Sequence, residues 1–367
     1  MKVIRALLLA TCVVAGTQSL ADANLQLNNG LTVSDSSTNA YLKINGRLQL
    51  DYVNASRDSE TLVNDAKVHR AWLTISGARD DWFFLHRFDL DPEPNGSELS
   101  SFIEYRGFGP MAYVGVGRHK EPFGMRWRTS INHTATPERS AISDGHTLGR
   151  SVGILVRGYG DSVGYEAGIF EDESAENPSE EESANNGAFT GRIFTPITIS
   201  DNQRMHLGLG TSQRSKKDVY NLEFAYINNR FHVQTEWFQT KWNETFVSNS
   251  ETEDGFTVDL GWFLTQDSMP YKNGAFKKVT PSAEKGAWQI IARFDQGVGN
   301  FSDIQLTRGE GQQITVGVNW FANANTRLAM SYTRGEIDEA LVNGVEVNSE
   351  LINQTGEEIR ARLQFVF

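Results

Sequence analysis

Apolar and polar residues alternate along this chain in segments of about ten, each followed by a break. Leu42, Ile44, Leu48, Leu50 and Tyr52 share one parity of the first segment, with Lys43, Asn45, Arg47, Gln49 and Asp51 on the other. That two-residue period is the signature of a strand with one apolar face. Ala71, Leu73 and Ile75 repeat it, and Trp82, Phe84, His86, Phe88 and Leu90 oppose Phe83, Leu85, Arg87 and Asp89 in a less clean split. The same alternation returns around residues 152–156, 163–169, 205–209, 220–226, 256–262, 288–294, 314–320 and 328–332, and the last strand carries Ile359, Ala361, Leu363, Phe365 and Phe367 on one face.

The connections sort by length. Short breaks fall at 79–81, 107–110, 159–161, 228–229 and 322–325, and they alternate with long polar ones at 54–66, 91–99, 119–149, 171–186, 243–252, 299–312 and 335–355. Short turns on one rim and long loops on the other are the pattern of an outer-membrane β-barrel, which a soluble sandwich would not produce. One connection breaks the rule: residues 265–284 are long where a short turn is due. The reading is therefore all-β, a transmembrane antiparallel barrel of about sixteen strands. Residues 22–367 number 346, roughly 22 per strand with its connection, which suits spans of 9 to 11 residues. A barrel of that size has an aqueous lumen.

The stretch from Val114 to Arg150 stands apart. Val114 and Val116 oppose Gly115 and Gly117 as in a strand, and after Arg118 the alternation stops until Ser151. A loop that long inside a compact domain usually has a task. The two glycines leave room on the lumen side of their strand, so the loop is expected to fold back into the barrel.

Composition narrows the picture. Lys2 and Arg5, an apolar run from Ala6 to Ala15, and Ser19-Leu20-Ala21 read as a secretory signal peptide over residues 1–21, with the barrel domain over 22–367. Cys12, the single cysteine, falls inside that leader. Removing Lys2 and Arg5 from the 34 basic residues leaves 32 against 46 acidic ones, a formal charge of −14 that disfavours nucleic acid and anionic lipid. No apolar run of eighteen follows the leader, so a helical span is excluded. Gly160-Asp161-Ser162-Val163-Gly164 matches a hydrolase nucleophile elbow in letters only, since it joins two alternating strands and no helix follows. The histidines show no metal-ligand spacing, and no phosphate-cradling glycine loop is present. Neither an enzyme, nor a cofactor, nor a metal is expected.

Several motifs, in order, resemble the phosphate-selective porin O and P family. Asn45 to Tyr52 (NGRLQLDY), His69-Arg70-Ala71-Trp72, Asp81-Trp82 and Phe88-Asp89-Leu90 look like its opening strands. Gly117 to Gly124 (GRHKEPFG) followed by Thr136-Pro137-Glu138-Arg139-Ser140 is similar to its constriction loop, and Gly286-Ala287-Trp288, Gly317 to Phe321 (GVNWF) and the final Arg362 to Phe367 (RLQFVF) extend the match. The resemblance implies a sixteen-stranded barrel, usually trimeric, with a loop folded into each pore and wall arginines that guide anions. It also implies the outer membrane of a Gram-negative bacterium, with lipid and lipopolysaccharide as neighbours and phosphate or other small anions as solutes. Passage of organic acids or sugars without phosphate selectivity is the alternative, and a barrel hydrolase a more distant one.

Parity independently places cations in the lumen. If the apolar faces meet lipid, then Arg47, Arg70, Arg87, Arg106, Arg157, Arg204, Arg293, Arg360 and Arg362 point inward, because facing lipid at mid-depth each would cost about 2–4 kcal/mol. Guanidinium forks match phosphate and carboxylate oxygens. The expected anion path joins Arg47, Arg70 and Arg87 of the wall to Lys120, Arg126, Arg128 and Arg139 of the loop, although Asp51, Asp89, Glu104, Glu166, Glu223, Asp259 and Asp295 could simply pair the wall arginines. The family's lysine cluster is matched only by Lys120, and the acidic run from Glu171 to Glu182 would repel anions if it overhung the mouth.

Overall fold

The computed structural model describes residues 23–27, 29–90, 98–172, 187–243, 252–342 and 345–367. The leader and most of the acidic run lie outside them, as do 91–97 and 244–251.

One antiparallel sheet of nineteen strands contains the barrel. Three of them are accessory, Ala23–Gln26, Leu31–Asp35 and Val345–Val347, leaving 19 − 3 = 16. In chain order the barrel strands are β1 (Ala40–Arg57), β2 (Glu60–Arg79), β3 (Trp82–Asp89), β4 (Glu98–Tyr105), β5 (Tyr113–Lys120), β6 (Arg150–Tyr159), β7 (Gly164–Glu171) and β8 (Gly187–Ser200). They continue as β9 (Gln203–Gln213), β10 (Lys217–Asn228), β11 (Phe231–Trp242), β12 (Thr252–Phe263), β13 (Ala287–Asn300), β14 (Arg308–Phe321), β15 (Thr326–Val342) and β16 (Thr355–Val366). Each pairs with the next, and β16 pairs with β1 from Gly356↔Arg57 to Val366↔Arg47, so the barrel closes without a free edge. Gly46 and Phe367 exchange backbone hydrogen bonds of 2.9 and 3.1 Å at the seam. Below it, the hairpin of Ala23–Gln26 and Leu31–Asp35 extends the sheet along Ala40–Ile44 of β1.

The register keeps the apolar parity on the outside along most of the barrel. Leu222, Leu209 and Ile193 are partners across β10, β9 and β8, and all are exposed, while their neighbours Asn221, Glu223 and Arg192 are buried in the interior. The inverted pattern, apolar out and polar in, is what lipid outside and water inside select. Trp82, Trp262, Trp288 and Trp320 mark the rim with the short turns.

Two expected loops prove to contain much strand. Residues 54–66 belong to β1 and β2, which pair up to a two-residue turn at Asp58 and Ser59 with φ of 46° and 71°. Residues 335–355 continue β15 to Val342, and Val345–Val347 folds back on it. Beyond the lipid belt both faces meet water, so the hydrophobic alternation ends while the backbone ladder continues.

Two segments enter the barrel. Residues 121–149 fold inward from the long-loop rim, carrying two short helices, α1 (Met125–Arg128) and α2 (Ala141–His146), the latter capped by Ser140 Oγ, which accepts from Ser143 N at 3.1 Å. Phe123, Ala141 and Ile142 of this loop pack with Val219, Phe238 and Ile337 of the wall. The connection from 264 to 286, anomalous in length, enters from the opposite rim: Met269, Tyr271, Phe276 and Val279 form a second apolar cluster with Met125 of α1 and with Ile227, Phe263 and Phe321. The two insertions thus meet inside, on the side of β10–β15.

Candidate functional site

Arginines of the β13–β16 wall spend their donors on the inserted loop. Arg327 donates to the carbonyls of Thr134 and Ala135 at 2.7 and 2.6 Å, and Arg293 donates to Thr136 Oγ1 and the Glu138 carbonyl at 2.9 and 2.8 Å. Arg362 donates to the Pro137 carbonyl at 2.5 Å. Asn319 Nδ2 and Gln364 Nε2 add donors to Ala135 and Asn132. A loop buried in a lumen must pair its carbonyls somewhere, and this wall supplies the partners. Arg293, Arg360 and Arg362, expected as anion guides, are accordingly engaged. Arg360 lies between Asp51 and Glu358 at 2.8 and 2.6 Å, and Arg362 binds Asp51 and Glu138.

Glu138 is the hub of that network, touching His69, Arg70, Arg360 and Arg362. Burial pushes its carboxyl up, but Arg362 and Arg70 outweigh it and hold the group well below the usual carboxylate range. His69 and Arg70 both face inward because the ladder slips between Gln49 and Leu50, leaving one extra residue on β2. The liganding atoms of Asp51, His69 and Glu138 also lie within 4.8 Å of one another, but guanidinium groups already occupy both carboxylates, which makes this an ion network.

The loop cations divide sharply. Arg126 is 1% exposed and bound to Asp259, with Glu236 at 3.8 Å, so it faces β11 and β12 and lines no aqueous path. Arg128 is paired with Glu166 at 2.7 Å and donates to the Lys120 carbonyl. Both were expected in the anion path. Their position follows from α1, whose Met125 anchors the helix in the apolar cluster and turns its basic neighbours toward wall carboxylates.

On the side of β1–β6 Arg106 and Arg157 are likewise paired, with Glu104 at 2.7 and 2.6 Å, but a second group of cations shows the opposite picture. The Arg47 guanidinium sits 3.9 Å from the ring centroid of Trp72 on β2, and Arg87 lies 5.9 Å from it while donating to Thr74. Lys120 and Arg139 lie 4.3 and 4.8 Å from the ring of Trp127 in α1. Arg150 joins the two, 5.7 Å from Trp72 and 5.5 Å from Trp127. Trp72 is oriented by its indole N–H, which donates to Asp89 at 2.7 Å. Arg70 stands beside the group but is held bidentate by Glu138. Among the described residues, Arg47, Arg87, Lys120, Arg139 and Arg150 have no carboxylate at ion-pair distance. Arg47 Nη1, Arg139 Nε, Arg150 Nε and Trp127 Nε1 are buried donors without a partner.

Of the expected site, then, Arg47, Arg87, Lys120 and Arg139 come together, and Arg150, Trp72 and Trp127 complete the group. Arg150 escapes sequence reasoning because it shares the parity of lipid-facing Val152 and Ile154; at the end of β6 its long side chain turns over the strand into the lumen. The juxtaposition of two tryptophans with five cations could have been suspected from the density of basic and aromatic letters around Trp127.

Comparison with known proteins agrees with this architecture. The family model described as phosphate-selective porin O and P matches residues 42–219 and 195–367. Porin O of Pseudomonas aeruginosa is 25% identical over 420 residues, covering 95% of this chain and 93% of that protein. Among solved structures, an anion-selective porin from Comamonas acidovorans aligns with a TM-score of 0.60 at 12% identity, over 89% of this chain and 100% of that one. The trimer form of OmpT from Vibrio cholerae aligns with 0.53 at 10% identity, over 89% and 99%. Barrel, inserted loop and family match together place this chain in the phosphate-selective porin O and P family, as a channel protein of the Gram-negative outer membrane and not an enzyme.

Proposed function

We propose that the pore is a passive diffusion channel with a preference for small oxyanions, phosphate among them, and that Arg47, Arg87, Lys120, Arg139 and Arg150 form its constriction. The observation that carries this reading is the gathering of five cations with no carboxylate at ion-pair distance among the described residues, with Arg47 Nη1, Arg139 Nε and Arg150 Nε lacking a hydrogen-bond partner there. Unpaired buried donors are costly, and an oxyanion with several acceptor oxygens satisfies them together. Planar guanidinium forks passing one anion among them keep binding favourable yet shared, which lets the ion leave.

The formal charge of −14 does not oppose this. Exposed charges farther than about 8–10 Å are screened by salt, while a few fixed charges in a constriction with low-dielectric walls set the local potential. The chain is read as a homotrimer, with residues 1–21 as its export signal and lipopolysaccharide around its long-loop rim. Single channels in a potassium chloride gradient should show a reversal potential of the sign set by chloride, and phosphate should reduce the chloride current at lower concentration than sulfate or acetate. Equal block by all three would leave an anion channel without phosphate preference.

A further inference from the structure

The five-cation group offers donors only, and the acids around the lumen are largely committed elsewhere. Asp51, Glu104, Glu138, Glu166 and Asp295 each lie at ion-pair distance from an arginine. Asp144 in α2 differs from them. It is exposed, and among the described residues its carboxylate has no cation at ion-pair distance and no hydrogen bond. Only its backbone is engaged, the N–H donating to the Ser140 carbonyl at 2.9 Å and the carbonyl accepting from Thr147 Oγ1 at 3.2 Å.

The seating of α2 aims this carboxylate. Ile142 is fully buried in the apolar cluster with the wall, and His146 is held between Thr240 Oγ1 and the Val298 carbonyl at 2.7 and 3.1 Å. These two positions, i and i+4, share one face of the helix, the face turned to β11–β13. Asp144 lies midway between them in sequence, roughly 200° around the axis from each, and therefore points away from that wall into the open lumen. Removal from bulk water inside the barrel pushes its carboxyl up to about 6, with Asp303 and Glu138 adding to the rise and Arg139 and Arg293 opposing it. The group is thus ionised at neutral pH. Of those neighbouring charges Arg139 acts on it most strongly, and Arg139 is also the cation 4.8 Å from the ring of Trp127. A free acceptor therefore stands at the edge of a set of donors.

Oxyanions of similar size and shape differ in what they ask of such a group. At neutral pH phosphate and arsenate keep at least one O–H, whereas sulfate and selenate are fully ionised and carry acceptors only. An O–H donating to a carboxylate makes a short, charge-assisted bond, while a fully ionised oxyanion meets the same carboxylate only as repulsion. A site built to pair a solute's O–H discriminates against the analogue that lacks it.

We infer that Asp144 is the specificity-determining residue of the pore, accepting the O–H of a protonated oxyanion held by Arg139 and its neighbours and turning away fully ionised ones. The inference rests on the anion reading above and names the group within it that separates phosphate from sulfate.

The test records single channels of the full-length protein with chloride as the carrier and measures the concentrations of phosphate, arsenate, sulfate and selenate that halve the current. In the native pore phosphate and arsenate should act at about tenfold lower concentration than sulfate and selenate, as one hydrogen bond to a charged group allows. Asp144→Asn keeps the shape and removes the charge, and should bring the four anions together by weakening block by phosphate and strengthening block by sulfate. A parallel gain for all four in Asp144→Asn would show that Asp144 contributes only its field, and an unchanged ratio would place it off the path. Either result, or equal block of the native pore by phosphate and sulfate, overturns the inference while the anion channel stands. A native pore that prefers potassium overturns the anion reading and the inference with it. If Asp144→Asn does not assemble, Asp144→Ser removes the same charge and carries the same expectation.

Discussion

The two halves of the lumen contain similar numbers of arginines and use them differently. On the β8–β16 side Arg126, Arg192, Arg293, Arg360 and Arg362 are each held by carboxylates, and Arg327 by carbonyls; Arg192, for example, lies 2.7 Å from Glu223. On the β1–β6 side Arg70, Arg106 and Arg157 are also held by acids, Glu138 and Glu104, but the cations around Trp72 and Trp127 have aromatic faces where the others have acids. A paired guanidinium is part of the frame, whereas an unpaired one presents its field to the solute. On the proposed reading, counting arginines therefore says little about selectivity, and which of them lack acids says more.

Substitutions can break this comparison, and the paired half should respond most strongly. Arg126→Leu leaves Asp259 and Glu236 buried without their cation, and the expected loss of barrel stability is about 3–5 kcal/mol. Its readout is the temperature at which the heat-modifiable band converts on electrophoresis, and an unchanged temperature would show that Arg126 is not bound as described. Arg327→Met removes two carbonyl partners of the loop, for an expected loss of about 1–3 kcal/mol and noisier single-channel current as the 132–138 segment loosens.

In the unpaired half the signature reverses. Arg139→Gln should leave thermal stability unchanged or slightly improved, since it relieves repulsion among neighbouring cations, while weakening anion residence by about 1 kcal/mol, roughly fivefold. A drop in stability like that of Arg126→Leu would erase the distinction between the halves. The smallest effect concerns pH. Burial, with Arg128 beside it, pushes the ammonium of Lys277 in the inserted 264–286 segment down to about 8. The group is charged below that value and loses its charge above it, so chloride preference should decline modestly between pH 7 and 9, and Lys277→Gln should flatten the profile.

Much of the barrel was legible because alternation is imposed by the lipid boundary, as at Leu222 and Glu223. Where that boundary ends the signal ends with it, which is why the upper parts of β1, β2 and β15 read as loops. The site was legible in part. Arg126 and Arg139 are basic residues of one loop, and what separates them is tertiary: α1 turns the first toward Asp259 and Glu236, whose inward parity was readable but whose nearness to the loop was not. The length of the 265–284 connection was a true signal, and its physical meaning became clear only with Met269, Tyr271 and Phe276 packed against Met125.

The central claim is that the unpaired cations, and not the total arginine content, set selectivity. The most direct measurement is the reversal potential of single channels in a potassium chloride gradient, for the native chain and for the Lys120→Glu, Arg139→Glu double variant. The native pore should favour chloride and the double variant potassium, with the sign of the potential reversed. A native pore that prefers potassium, or a double variant with an unchanged ratio, would contradict the account.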